Sequence, residues 1–142
     1  MIVLVSFEEQ EISIFKKAST ELRIDKRINY FDDREALTSH CLKSAQRPGD
    51  ALYPRVIVVN IDSETCLDDM RILKKTDNWK KIPIIGYGHL EGPDDVSGFY
   101  GAGGASCVRK PASYIELVET TRAAMGYWLS MSTLPCDYLL EA

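Results

Sequence analysis

The sequence predicts an α/β fold: a five-stranded parallel sheet with helices on both faces. Five short runs of apolar, largely β-branched residues recur along the 142 residues, and apolar residues between them return at spacings of three and four. The most apolar run, Val56-Ile57-Val58-Val59, is continuous rather than alternating, as suits a strand covered on both faces. Strands that alternate with helices in this way join through right-handed crossovers into one parallel sheet.

The first strand is Ile2 to Val5. Glu8 and Glu9 open the helix that follows, where acids suit the helix dipole, and Ile12, Phe15, Ala18 and Leu22 form its apolar stripe. Ile28 to Phe31 reads as the second strand. Ala36, Leu37, Cys41, Leu42 and Ala45 face the second helix inward, and Pro48-Gly49 stops it. After the central run, Leu67, Met70 and Leu73 mark a third helix, whose start Asp62 or Ser63 would cap. Ile82-Pro83-Ile84-Ile85 is the fourth strand, with proline at its entrance, where the missing N–H does little harm. Seven of the nine glycines lie between Gly86 and Gly104, so the helix expected over Asp94 to Gly101 should be short or frayed, held by Val96, Phe99 and Tyr100. Ser106 to Val108 is the fifth strand. The last helix spans 113–134, with Ile115, Val118, Arg122, Met125 and Leu129 on one stripe, flanked by Leu117, Thr121, Ala124 and Trp128. One domain over 1–134 and a short tail over 135–142 account for the chain.

Composition narrows the function. Seventeen Lys and Arg against twenty-one Asp and Glu give a net charge of −4, a poor basis for binding nucleic acid. No apolar run approaches the ~18–20 residues needed to span a bilayer, and the N-terminus lacks the basic flank of a signal peptide. A soluble, cytoplasmic protein is expected. Cys41, Cys66, Cys107 and Cys136 are scattered, with only His40 beside Cys41, so free thiols are expected and no metal site. His40 and His89 fall in different regions of the fold, and no nucleophile–histidine–acid triad assembles.

In sheets of this kind ligands and chemistry gather at the carboxyl ends of the strands. Here those ends are Ser6-Phe7, Asn60-Ile61-Asp62, Gly86-Tyr87-Gly88 and Arg109-Lys110-Pro111. The five units, Ile82-Pro83 opening the fourth strand, Gly104-Ala105 before the fifth and Lys110-Pro111 after it resemble the receiver domain of bacterial two-component response regulators, a flavodoxin-like (βα)5 fold. Tyr127-Trp128-Leu129 with Leu134-Pro135 further resembles stand-alone receivers that partner phytochrome-like kinases.

The resemblance implies a phosphorylation pocket, and the residues depart from it. Working receivers use a carboxylate nucleophile at the end of the third strand, two acids after the first that hold Mg²⁺, a Ser or Thr switch, an aromatic switch and a lysine. The nucleophile position falls on Asn60, a neutral amide and a poor nucleophile at phosphorus. The acid positions fall on Ser6 and Phe7, the hydroxyl switch on Gly88 and the aromatic switch on Cys107. Only Lys110 remains, with a Lys110–Pro111 bond that is often cis in the family. The expectation is a degenerate receiver: not an enzyme, without a cofactor, signalling through contact with a sensor histidine kinase, another receiver or a second copy of itself. Tyr100, Tyr114, Tyr127, Trp128 and Tyr138, toward the last helix, are the candidate anchors for such contacts. One alternative is a Mg²⁺-dependent phosphoacceptor that uses a displaced carboxylate such as Asp62, with Glu8 and Glu9 nearby. A lesser one is a small-ligand binder in the strand-end crevice, for which Ser6-Phe7-Glu8-Glu9 makes a poor phosphate loop.

Overall fold

The computed structural model describes residues 2–23, 28–43, 54–76 and 79–134. The Pro48-Gly49 stop, Cys136, Tyr138, the tail from 135 and the side chains of His40, Cys41 and Leu42 lie outside what it describes. Five strands, β1 (Ile2–Val5), β2 (Ile28–Phe31), β3 (Val56–Asn60), β4 (Ile84–Gly88) and β5 (Ser106–Arg109), alternate with five helices, α1 (Glu9–Glu21), α2 (Arg34–Lys43), α3 (Cys66–Lys75), α4 (Pro93–Gly101) and α5 (Tyr114–Gly126). All strand pairs are parallel, in the order β2-β1-β3-β4-β5. The order reverses between β1 and β3, so a crevice opens at the carboxyl ends of these strands.

The sheet is buried on both faces. Ile2, Leu4, Val58, Ile85 and Tyr87 pack with Phe15 and Ala18 of α1 and Met125 of α5, while Val3, Val5, Ile57, Val59 and Ile84 pack with Leu37, Met70, Leu73 and Phe99 of the other three helices. The Ser113 hydroxyl starts α5 by accepting the Glu116 N–H at 3.2 Å.

Several elements differ from expectation. β4 begins two residues later, because Pro83 lends only its carbonyl to the ladder, accepting the Ile57 N–H at 3.0 Å. α5 follows the expected stripe only in part: Met125 is buried and Leu129 packs on the core, but Thr121 of the flanking residues is buried too, with Leu117 and Trp128 partly so, whereas Ile115 is 71% exposed and Arg122 is exposed. Its regular part ends at Gly126, and a π-helical turn over Tyr127–Met131 follows, closed by the Ser132 N–H on the Tyr127 carbonyl. In α1 Ile14 joins the core, and in α2 Ala36 is exposed. Neither Asp62 nor Ser63 caps α3, whose N-cap is Thr65.

The glycines around α4 have a packing cause. A Cβ on Gly86 would lie 2.5 Å from the Phe99 ring, and one on Gly104 would run into the same ring. Phe99, fully buried, is therefore seated between two glycines, and it anchors α4, while Tyr100 stays exposed. Gly103 has φ +103°, which a side chain would strain.

Candidate functional site

The register brings Ser6, Asn60, Gly88 and Lys110 to one end of the sheet. Val5 pairs with Val59, Asn60 with Tyr87 and Gly88 with Arg109, and the Lys110 N–H continues the β4–β5 ladder onto the Gly88 carbonyl at 2.8 Å. The side chains of Asn60 and Lys110 meet there, with Asp62 one turn beyond.

Lys110 is the centre of the site. Its side chain is only 7% exposed, and its ammonium donates to Glu11 Oε2 at 2.6 Å, Asn60 Oδ1 at 3.2 Å and Asp62 Oδ2 at 3.3 Å. Its Nζ also lies 5.6 Å from the Phe7 ring centre and 5.9 Å from that of Tyr87, within cation–π range. Asn60 is engaged at both ends of its amide: Nδ2 donates to the Ser6 carbonyl at 3.0 Å, and Oδ1 also accepts the Asp62 N–H at 3.1 Å.

The two positions after β1 do other work. Ser6 has φ +65° and sends its hydroxyl to the Asp32 carbonyl at 2.8 Å, tying β1 to the turn after β2. Phe7 is buried in an aromatic cluster, with its ring centre 5.3 Å from Phe15 and 6.2 Å from Tyr87. These residues do not fit a Mg²⁺ ion, which wants anionic and neutral oxygens in an octahedron. Phe7 offers none, the Ser6 hydroxyl is committed elsewhere, and the oxygens of Asn60 and Asp62 face an ammonium. Among the described residues no three His, Cys, Asp or Glu side chains group as metal ligands.

Asp62 folds back over the pocket. Its Oδ1 accepts the His89 N–H at 3.1 Å and its Oδ2 pairs with His89 Nδ1 at 2.8 Å. Partial burial raises the Asp62 pKa, but the bonds from His89 and the Lys110 ammonium outweigh it, and the carboxyl ends below the ordinary Asp range. A Cβ on Gly88 would sit 2.9 Å from Asp62 Oδ1 and 3.0 Å from Ile61 Cβ. The side chain that Gly88 lacks is thus the space into which Asp62 fits.

Cys107, at the aromatic-switch position, lies on the other face of the sheet, half-buried, and its N–H donates to the Tyr100 hydroxyl at 3.2 Å. Burial pushes its thiol pKa up, and that of Cys66, which is buried, up to about 12. The aromatic beside the pocket is Tyr87, 2% exposed, whose hydroxyl shares a 2.5 Å hydrogen bond with the buried Thr121 hydroxyl on α5. No peptide bond among the described residues is cis, Lys110–Pro111 included.

Sequence reasoning missed Glu11, His89 and the Tyr87–Thr121 pair. Glu11 stands three residues after Glu8 and accepts the Glu8 N–H at 3.2 Å, the spacing of a capping box, and that signal was present in the sequence. His89 follows β4, the neighbour of β3, so its loop had to meet the loop that carries Asp62.

No protein-family model and no curated protein matches the sequence. Solved structures do match in fold. The Mn(2+)-bound form of response regulator Rcp1 superposes with a TM-score of 0.81 at 18% identity, over 94% of this chain and 97% of that one. The phosphorylated cyanobacterial phytochrome response regulator RcpA gives 0.80 at 19%, over 94% and 96%. Response regulator RPA3017, from red light signaling of R. palustris, gives 0.74 at 19%, over 94% and 97%. The chain has the response-regulator receiver fold over nearly its whole length, and its residues at the carboxyl edge give that fold a pocket closed on its own lysine.

Proposed function

We propose that this chain is a receiver-type signalling module that acts by protein–protein contact and is not phosphorylated at the usual position. One observation carries the proposal: the acceptor position holds Asn60, a neutral amide bonded at both ends and pinned against Lys110. An amide has no anionic oxygen to attack phosphorus, and Ser6 and Phe7 provide no Mg²⁺ ligands beside it. The module is not an enzyme, comprises residues 1–134 with a tail over 135–142, and works in the bacterial cytoplasm. Its partner is a sensor histidine kinase, another receiver or a second copy. In support, Tyr114 and Tyr127 on the last helix and the turn after it, and Tyr100 on α4, are each about half exposed, and Met131 more so. No described helix is long and apolar enough to cross a membrane.

The second reading makes Asp62 the acceptor, and its place two residues past Asn60, with Oδ2 3.3 Å from the Lys110 ammonium, supports it. Against it, both Asp62 oxygens are already bonded to His89 or Lys110. A small ligand in the β1–β3 crevice fares worse, since the cavity among Ser6, Arg34, Asn60 and Asp69 measures about 10 Å³, the space of a water.

Beryllofluoride with Mg²⁺ mimics a phosphoryl group on a carboxylate and tests both readings by amide NMR. The proposal predicts no saturable shifts at Asn60, Asp62, His89 or Lys110. Saturable, Mg²⁺-dependent shifts there would overturn it.

A further inference from the structure

Building on the proposed function, we infer that Glu11 is the pocket's resident anion: its carboxylate occupies the place on the Lys110 ammonium that an outside tetrahedral oxyanion would need. The state of this pocket is then set by the chain itself.

An ammonium has three N–H donors, and each of these three has an acceptor, with Glu11 the shortest at 2.6 Å. Glu11 is held on both oxygens. Oε2 meets Lys110, while Oε1 accepts the Glu8 N–H at 3.2 Å, so the start of α1 fixes where the carboxylate sits. Its side chain is 17% exposed and that of Lys110 7%, which leaves little of the pair open to solvent. Phe7 and Tyr87 cover the ammonium with their rings. Two carboxylates, Glu11 and Asp62, already face one ammonium, so an arriving oxyanion meets surplus negative charge and has no free donor. Removing the Glu11 carboxylate frees the strongest donor direction, vacates its volume and leaves one carboxylate against one ammonium, with the exposed His89 ring still pairing Asp62. The pocket then becomes an oxyanion receptor of the phosphate class.

The test is titration of labelled protein with inorganic phosphate at constant ionic strength, followed by amide NMR. Wild type should show no saturable shift at Asn60, Asp62 or Lys110. Glu11→Ala should gain a saturable site there, at least about tenfold tighter than any binding by wild type, and Glu11→Ala with Lys110→Met should lose it. Should Glu11→Ala fail to fold, Glu11→Ser, which also vacates the carboxylate's place on Lys110, is read in the same way. Phosphate binding at this pocket in wild type, or none in a folded Glu11 variant, overturns the inference. Neither outcome involves a covalent bond to phosphorus, so each is distinct from failure of the proposed function, which a phosphorylated wild-type protein would mark.

Discussion

Lys110 holds together side chains from three separate parts of the chain, 7–11, 60–62 and 87, and its removal is the sharpest perturbation a single residue offers. In Lys110→Met, Glu11 and Asp62 would face each other without a cation, and Asn60 Oδ1 would lose a donor. Breaking a buried pair from one side leaves a charge uncompensated, so a loss of about 2–4 kcal/mol is expected. It would be read as a lower urea midpoint with an unchanged slope. Asp62 adds a pH dependence. Its folded pKa is lowered, so the stability it contributes is present above the unfolded Asp value of about 3.9 and is lost as pH falls through the folded value. Wild type should therefore lose stability more steeply than Asp62→Asn as pH falls below about 4. Parallel midpoint-against-pH curves for the two proteins would contradict this assignment.

At the scale of elements, the pocket is joined to α5 by a route through the sheet's α1–α5 face. Phe15 meets Phe7 and Tyr87 edge to face beside Lys110, and the Tyr87 hydroxyl reaches Thr121, which is fully buried. Tyr87→Phe would leave the Thr121 hydroxyl without this partner at a cost of about 1–2 kcal/mol, and a cycle with Thr121→Val should show strong coupling. Additive losses would mean that the hydroxyls contribute independently. These elements were largely legible in the sequence, because β-branched runs and three-four spacing report local geometry directly. The errors have local causes. Ile115 shares the spacing of Met125 and Leu129, which do meet the core, and periodicity alone does not say where along a helix that contact begins. The glycines at 86 and 104 read as looseness, whereas they make room for one ring, Phe99, which only three-dimensional packing reveals.

For the molecule as a whole, the strand order places four loops at one edge, and that edge is where sequence and structure agree and then part. Asn60, Ser6, Phe7, Gly88 and Lys110 could be placed at this edge in advance because strand ends in a parallel sheet converge whatever their side chains do. Glu11 and His89 could not be assigned in the same way, since their roles depend on rotamers chosen across distant parts of the chain. Even so, the capping-box spacing of Glu8 and Glu11 hinted at the first. The resulting edge is closed: the ammonium is internally paired, the amide is fixed and the Phe7 ring lies against the ammonium. The most direct test is the intact mass of the folded wild-type protein after incubation with Mg²⁺ and a small-molecule acyl phosphate, with and without a chelator. An unchanged mass in both samples is predicted. A chelator-sensitive gain of one phosphoryl group, mapped to Asp62 or any other carboxylate of this edge, would contradict the account.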